Sequence, residues 1–341
     1  MFLKDKVYSM NGGIAGMCMA AVAAYTVMAM ALMSGVAQAQ PVPVGNYPSR
    51  PVRYVVGGSV GGGADSLARA IAQKLGEQWG QQVIVDNRPG GGGIVASEIV
   101  AKSPPDGYNL LMAFTSHVTN PSLYSKLSYD AVKDFAPITL IATIPNILVL
   151  HPSVTADSVP ALVALLRKKQ LSFASTGSGA STHLAGVLFA HMTGTKLLHV
   201  PYKGAGPAIT GVLSAETDMM FATMVSILPQ VKSGKLRALA VTGSRRSAAA
   251  PELPTVSESG VPGYEANAWF ATYAAAGTPA ALVQRLNGDI VRIILSAEVR
   301  NRLAVQGAEA LTSTPQELDR YTREEIQRWQ RVIRESGARA D

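Results

Sequence analysis

The sequence predicts an α/β protein of two domains, each built on a mostly parallel sheet flanked by helices. Three observations lead to this prediction. The chain has 341 residues, 48% of them hydrophobic and 16% charged, so it can fill more than one core. A strand pattern, a glycine-rich loop and a helix pattern follow one another in residues 52–79, and this order recurs in residues 171–191. Alternating short strands and helices are typical of parallel sheets, whose ligands bind beyond the carboxyl ends of the strands.

The first unit starts with the apolar strand Val52–Val56 and continues into a loop, residues 57–63, with five glycines among seven residues. Glycines let the backbone turn tightly and approach a ligand closely. The first N–H groups of the following helix add the positive end of the helix dipole. We therefore expect this loop to bind an anion. The residues expected at the ligand are Gly58, Ser59, Val60, Gly61, Gly62 and, at the start of the helix, Asp65.

Two other interpretations of this loop stay open. Residues 57–61 fit the nucleophile pattern G-x-S-x-G, which would make Ser59 the nucleophile of an exported serine hydrolase, with His183 or His199 as a possible base. A plain turn between strand and helix is the other. A dinucleotide fingerprint and a Walker A motif are excluded, because neither G-x-G-x-x-G nor Gly-Lys-Ser/Thr fits these glycines.

Residues 82–114 continue the alternation of strands and helices. A strand at 82–86 leads into a second glycine cluster, a helix and a strand that ends at Phe114. His117 follows that strand, where contact with a ligand and a hydrogen bond to backbone are both expected possibilities. The apolar run 138–150, broken by Pro145, is interpreted as the crossover out of the first domain.

The second unit repeats the first with hydroxyl residues in its loop. After a helix at 159–167 and a strand at 171–174, residues 175–182 carry five hydroxyl side chains. Ser181 or Thr182 is expected to cap the next helix, which explains one hydroxyl and leaves four. Two anion-suited helix starts in two domains predict a ligand held between them. The expected ligand contacts here are Ser175, Thr176, Gly177, Ser178, Ala180 and Ser181.

The first 39 residues have the features of a signal peptide. Lys4 and Lys6 precede an apolar stretch, and the small residues Ala37 and Ala39 form a cleavage pattern, so cleavage after Ala39 and export are expected. An uncleaved membrane anchor is the alternative. The only cysteine, Cys18, lies in this leader, so the mature chain is expected to have no thiol chemistry.

The formal net charge of +7 raises the question of a nucleic-acid partner. Many arginines lie in residues 285–334, interleaved with acids, which is typical of a solvated helix surface, and no nucleic-acid partner is expected. The five histidines show no metal-ligand spacing, so neither a metal nor a cofactor is expected.

Specific motifs are spread over almost the whole mature chain. They are Tyr47–Pro51, Gly61-Gly62 with Asp65, Asn87–Gly90 with Gly92-Gly93, Pro105–Tyr108, His117, Asn120–Tyr124, Lys133–Phe135, His183–Gly186, His199–Gly204, Gly234–Thr242, Pro254–Val256, and Gly260–Tyr264 with Trp269-Phe270. In these motifs the sequence resembles the periplasmic receptors of tripartite tricarboxylate transporters, the Bug or TctC-like solute-binding proteins.

The resemblance implies a two-lobed periplasmic-binding-protein fold, a type II-like "Venus flytrap" hinged by two crossing segments. Lobe 1 would comprise residues 45–145 and 255–341, and lobe 2 residues 146–254. A small carboxylate (a di- or tricarboxylate, an aromatic acid or an amino acid) would bind between the lobes, with Tyr202 and Thr223 among its contacts. The implied role is non-enzymatic: a periplasmic monomer that delivers its ligand to TctA/TctB-like membrane subunits.

The chain departs from the family pattern in ways that keep the ligand open. Gly57-Gly58 replaces a proline and an aromatic residue, and Ala222 replaces an acidic residue. Further departures are Ala64 and Ala180, where hydroxyl residues are common, and Thr223, where asparagine is common. Asp65 and Asp218 then remain as the candidate acids near the cleft. We expect Asp65 to hold the glycine loop or to receive a ligand amine, and Gly62 to hold a positive φ.

Overall fold

The computed structural model describes residues 44–305 and 307–338, so the predicted leader 1–39 lies outside the described residues. The described chain forms two sheets flanked by helices. The elements around the six-stranded sheet are called the first lobe, and those around the five-stranded sheet the second lobe. No helix among the described residues has the length and hydropathy needed to cross a membrane.

The first lobe contains six strands and six helices of the described chain. They are β1 (Val52–Val56), α1 (Gly63–Trp79), β2 (Val83–Asn87), α2 (Ile94–Ala101), β3 (Asn109–Phe114), α3 (Ser116–Leu123), β4 (Phe135–Ile144), β10 (Ala268–Ala275), α8 (Ala280–Ile294), α9 (Ala297–Val305), β11 (Glu309–Ala310) and α10 (Pro315–Ser336), with 3-10 turns at Val44–Asn46 and Gly91–Gly93.

The second lobe is formed by the chain between β4 and β10. Its elements are β5 (Asn146–Leu150), α4 (Val159–Leu166), β6 (Leu171–Ser175), α5 (Ser181–Thr193), β7 (Leu197–Pro201), α6 (Ala205–Leu213), β8 (Met219–Thr223), α7 (Met224–Lys232) and β9 (Arg237–Val241).

Each sheet has a parallel part that carries a glycine loop and an antiparallel part that carries the crossing strands. The first sheet has the order β11-β4-β10-β3-β1-β2, and its parallel pairs are β1 with β2 and β1 with β3. The second has the order β7-β6-β8-β5-β9, and its parallel pairs join β6 to β7 and to β8. The remaining strand pairs are antiparallel. The predicted α/β lobes and their parallel units are therefore confirmed. The expectation that each sheet is mostly parallel is wrong, because three of the five strand pairs in the first sheet and two of the four in the second are antiparallel.

Two crossing segments join the lobes and are bonded to each other. The chain leaves the first sheet at Ile144 and enters the second at Asn146, with Pro145 between them. Asn146 N–H donates to Thr242 Oγ1 at 2.8 Å, and Thr242 N–H donates to the Asn146 carbonyl at 2.9 Å. Both side chains are fully buried. This pair fixes the outgoing strand against the returning segment.

The predicted lobe boundaries stay a prediction, and the contacts of residues 254–264 favour a later return. The Pro254 carbonyl accepts from Val241 N–H at 2.9 Å, and Thr255 forms a parallel bridge with Val241. The hydroxyl of Tyr264 donates to the Ala185 carbonyl at 2.8 Å in the second lobe. We therefore place the return to the first lobe near Ala268 rather than at Thr255.

Candidate functional site

The loop after β1 is enclosed by a series of side-chain hydrogen bonds. Asp65 Oδ2 accepts from Gly61 N–H at 2.8 Å and from Arg69 Nε at 3.0 Å. Arg69 Nη2 donates to Asn87 Oδ1 at 3.2 Å, and Asn87 Nδ2 donates to the Gly58 carbonyl at 3.0 Å. These bonds run from one end of the loop to the other, so they fix its shape from outside. We call Asp65, Arg69 and Asn87 the bracket.

Asp65 stays ionised at the centre of the bracket although it is buried. Its side chain is 3% exposed, and Arg69 Nη2 lies 3.0 Å from its Oδ1. Burial raises the pKa of this carboxyl, but the hydrogen bonds from Arg69 and Gly61 outweigh burial and hold the pKa below its usual value. Of the two roles expected for Asp65, these contacts favour the loop-holding one.

The positive φ of this loop lies at Gly61, and the expectation for Gly62 is wrong. Gly61 has φ +78°, whereas Gly62 has φ −74° and is the N-cap of α1. As the first residues of the helix, Gly63 and Ala64 have N–H groups without intrahelical acceptors. Ser59, Gly61 and the N-cap are exposed. The loop thus presents backbone donors to solvent at the carboxyl end of β1.

The loop after β6 is held by hydroxyls and imidazoles. Ser175 Oγ lies 2.6 Å from His199 Nε2 and accepts from Gly177 N–H at 3.2 Å. Thr182 Oγ1 accepts from Thr176 N–H at 3.0 Å, and His183 Nδ1 accepts from Gly179 N–H at 3.2 Å. We call Ser175, Thr182, His183 and His199 the buttress of the second loop.

Both buttress imidazoles are neutral in the folded protein. Their rings stack with centroids 3.9 Å apart, and Phe173 packs against His199 at 5.0 Å. Burial lowers the pKa of His199 to about 4. Burial, together with the neighbouring His199, lowers the pKa of His183 to about 3. Because Nδ1 of His183 accepts a hydrogen bond, its proton lies on Nε2.

The expected side-chain cap of α5 is absent from this loop. The N-cap is Ala180, and no side chain accepts a hydrogen bond there. Thr182 Oγ1 instead contacts Thr176 N–H and the Thr176 hydroxyl, both at 3.0 Å. The prediction that Ser181 or Thr182 caps the helix is therefore wrong, because Thr182 bonds back to the loop. The first-turn N–H groups of Ser181 and Thr182 have no intrahelical acceptor.

Helix α3 connects the two loops across the lobes. Thr119 Oγ1 donates to the Gly179 carbonyl of the second loop at 3.2 Å, and a Cβ at Gly179 would lie 2.9 Å from Leu123 Cδ1. In the other direction, Asn120 Nδ2 donates to the Gly92 carbonyl at 3.2 Å. The neighbouring Gly93 in turn lies close to Gly57, at the start of the first loop. The contacts therefore run without a break from one glycine loop to the other.

Three sequence-predicted residues lie in packed surroundings. His117 is buried, bonds the Ala131 carbonyl at 2.9 Å and stacks among aromatic rings, and burial lowers its pKa to about 4. This placement favours packing over ligand contact. The ring of Tyr202 lies so close to Gly211 of α6 that a Cβ there would meet its hydroxyl. Asp218 accepts from Ser172, at the end of the second sheet opposite to its glycine loop, so it is not a cleft acid.

Thr223 and Val60 are the remaining predicted contacts outside the two networks. Thr223 ends β8 beside Asn146 and is the N-cap of α7. Val60 is 72% exposed at the tip of the first loop. Ser178 and Ser181 are half-buried, as is Ala180 between them. The carboxyl ends of β1, β6 and β8 thus hold most of the predicted site, while the side chain of His117 is buried.

Ser59 lacks the surroundings of a hydrolase nucleophile. A nucleophile elbow needs a strained backbone at the serine, yet Ala215 is the one non-glycine residue with positive φ in the described chain. Each of the five histidines has a partner other than Ser59. These partners are the Ala131 carbonyl for His117, Ser153 for His151, Gly179 N–H for His183, Glu335 for His191 and Ser175 for His199.

Residues 67–338 match the family described as tripartite tricarboxylate transporter family receptor, TctC. The chain belongs to this family. The resemblance drawn from the sequence motifs is thereby confirmed. The glycine loop 57–63 and Asp65 precede the matched region, so the description of that loop rests on the structure and the sequence motifs.

The similarity to known proteins covers most of this chain and nearly the whole of each protein compared with it. BugT of Bordetella pertussis is 36% identical over 305 residues, covering 88% of this chain and 94% of BugT. The structure of R. palustris Rpa4515 with adipate is 36% identical, with TM-score 0.79 and coverage of 85% and 98%. MatC of Rhodopseudomonas palustris with bound malate is 29% identical, with TM-score 0.76 and coverage of 84% and 100%. The chain has the two-lobed fold of these solute-binding proteins.

Proposed function

We propose that this TctC-family chain is a non-enzymatic receptor that captures a small carboxylate between its lobes. The observation that carries the proposal is the pair of helix N-termini, α1 and α5, each preceded by a loop at the carboxyl end of a strand. Backbone N–H groups at such N-termini bind carboxylates well. One N-terminus belongs to each lobe, so a single anion can engage both.

The side-chain networks support this assignment because they leave the backbone donors available. Asp65 and Arg69 satisfy each other, and His183 and His199 are neutral, so neither loop places an unpaired ionised side chain at its helix start. A ligand with two carboxylates would match two N-termini. The adipate of Rpa4515 and the malate of MatC, two proteins similar to this chain, are such ligands.

The location and the partners follow from the family as proposals. Solved structures similar to this chain include a periplasmic binding protein, and we propose that the leader 1–39 directs export to the periplasm. There the receptor, as a monomer, would deliver its ligand to TctA/TctB-like membrane subunits. Deletion of the genes for the cognate membrane subunits should abolish uptake while leaving ligand binding intact.

The binding test is a thermal-shift screen followed by calorimetry on protein purified without refolding. Adipate and malate should raise the melting temperature in a saturable way, whereas adipamide, the uncharged analogue of adipate, should not. Benzoate and aspartate extend the screen to aromatic acids and amino acids. Native mass spectrometry of the same preparation would show a retained ligand. The proposal would be refuted if no carboxylate raised the melting temperature more than NaCl does at equal ionic strength.

A further inference from the structure

A cavity of about 190 Å³ lies at the hinge, apart from both glycine loops. It is lined by residues of both crossing segments, of the β4–β11 edge and of α10. Because one water molecule needs about 10–15 Å³ of cavity volume, this cavity has room for a small organic molecule.

The strand order places this cavity on the opposite side of the crossing strands from the predicted ligand site. In the first sheet, β11 and β4 lie on one side of β10, whereas β1 with its glycine loop lies on the other. In the second sheet, the edge strand β9 lies on one side of β5 and the loop-bearing β6 on the other. The cavity residues Thr143, Gly243 and Glu309 belong to the β11 and β9 side.

Among the charged side chains that line the cavity, the carboxylate of Glu265 is the one without an ion pair within the described residues. Arg245 is ion-paired with Glu309, and Arg328 Nη1 donates to Glu325 Oε1 at 3.0 Å. The second terminal nitrogen of Arg328 donates to the main-chain carbonyl of Glu265. The hydrogen bond described for the Glu265 carboxylate comes from a neutral amide, Asn267 Nδ2, at 3.2 Å. Two arginines and three glutamates give the lining a formal charge of −1.

An aromatic side chain completes the lining. Tyr321 of α10 borders the cavity, and its ring packs edge-on against Trp269 with centroids 5.6 Å apart. Burial raises the pKa of Tyr321 above its usual value, so the ring stays a neutral phenol. A carboxylate and an aromatic ring that line the same cavity suit an organic cation, through an ion pair and a cation–π contact. An anion would instead meet surplus negative charge and arginines that are already paired.

We propose that this hinge cavity is a second binding site, which takes a small organic cation with its ammonium or guanidinium group on Glu265 and its carbon atoms against Tyr321. The site is independent of the carboxylate site. Its occupant would contact both crossing segments at once.

The test adds ethylammonium chloride or methylguanidinium chloride to the full chain. Binding is measured by calorimetry and by the shift in melting temperature. Either probe should bind saturably and raise the melting temperature more than NaCl does at the same ionic strength. Glu265→Gln keeps an acceptor for Asn267 but removes the charge, and it should weaken binding by about tenfold. The matched control is Glu324→Gln, an exposed glutamate on α10 paired with Arg320 outside the cavity, and it should leave binding unchanged.

Tyr321→Leu provides a second variant in case Glu265→Gln does not fold. It removes the aromatic wall and should also weaken binding of the organic cations. Absence of saturable binding to the wild-type chain, or equal binding by the wild type and whichever of the two variants is folded, would overturn the proposal. The carboxylate screen would be unaffected by that result, so the two proposals can fail separately.

Discussion

The loop after β1 is held by charged groups, whereas the loop after β6 is held by hydroxyls and neutral imidazoles. In the first, Asp65 and Arg69 form an ion pair that fixes Gly61, and Asn87 fixes Gly58. In the second, the buttress side chains act through uncharged hydrogen bonds and ring stacking. Each loop follows a strand of five residues and precedes a helix, and the two differ in the chemistry that positions them.

This difference makes the two loops sensitive to different conditions. Asp65 titrates as a carboxyl, and the hydrogen bonds from Arg69 and Gly61 hold its pKa below the usual value. The histidines of the buttress must stay neutral, because protonation would convert the acceptor Nδ1 of His183 into a donor facing Gly179 N–H. We therefore expect acid to act on the first loop by neutralising a carboxylate and on the second by charging its imidazoles.

The largest effect is expected from Gly61→Val. Gly61 holds φ +78° with no atom within 4 Å of an added Cβ, so the cost is backbone strain alone. That strain amounts to about 1–3 kcal/mol, which the loop can relieve only by leaving its binding shape. Calorimetry should show adipate affinity reduced by about tenfold or more.

Gly80→Val is the matched control for this change. Gly80 ends α1 with φ +65° and equally open space around its Cβ position, but it lies at the far end of the helix. It should lower the melting temperature and keep the affinity. If both variants bind adipate as the wild type does, the first loop does not contact the ligand.

Removal of Asp65 should have the next largest effect. Asp65→Ala removes the acceptor of both the Gly61 N–H and Arg69, so the loop loses the hydrogen bonds that hold its shape, and adipate binding should weaken by about tenfold. Asp65→Asn keeps one acceptor oxygen and should lose less. If Asp65→Asn lowered the affinity for an amino acid far more than the affinity for its deaminated analogue, Asp65 would instead receive the amino group of the ligand.

The second loop should make stability depend on pH through its histidines. Their pKa values of about 4 and about 3 lie below the ordinary 6.5, so the unfolded chain binds more protons than the folded chain between these values. The contribution of these neutral histidines to the stability of the fold is therefore fully present above pH 6.5, and it is lost as the pH falls toward about 4. The melting temperature of the wild type should decline over this range.

The double variant His183→Asn with His199→Gln separates this contribution from others. Asn Oδ1 can replace Nδ1 as an acceptor, and the Gln amide can replace Nε2, so both hydrogen bonds persist without titration. The decline with pH should become shallower. It should not vanish, because the buried His117 also has a pKa of about 4. An unchanged pH profile would mean that the buttress histidines do not titrate in this range.

The sequence predicted those parts of the molecule that depend on local pattern. The strands Val52–Val56 and Leu171–Ser175 and the helices after them follow from apolar periodicity and glycine punctuation, both of which are local. The sequence predicted the crossover at Pro145 within the apolar run 138–150. That run has no clear period, so the antiparallel pairing of its two strands, β4 in the first sheet and β5 in the second, was not predicted.

The networks around the loops could be predicted only in part. Asp65 and Arg69 are four residues apart on one helix, and that spacing is a signal for an ion pair. Asn87 lies 18 residues beyond Arg69 and reaches it through the pairing of β1 with β2, which the sequence does not specify. His183 and His199 likewise meet because β7 pairs with β6. Thr182 was assigned to capping by its residue type, whereas its hydroxyl bonds Thr176.

The smallest effect is expected from Ser59→Ala, which separates the receptor from the hydrolase. Ser59 is exposed, and the hydrogen bond described for it uses its carbonyl, which accepts from Gly62 N–H at 3.1 Å. Loss of the hydroxyl therefore removes at most one ligand hydrogen bond, worth about 0.5–1.5 kcal/mol, and should reduce adipate affinity by less than about tenfold. Neither the wild type nor the variant should cleave chromogenic esters or react with an active-site serine probe. Ester cleavage by the wild type that disappears in Ser59→Ala would establish Ser59 as a nucleophile, and the loop would then need a base that none of its described contacts supplies.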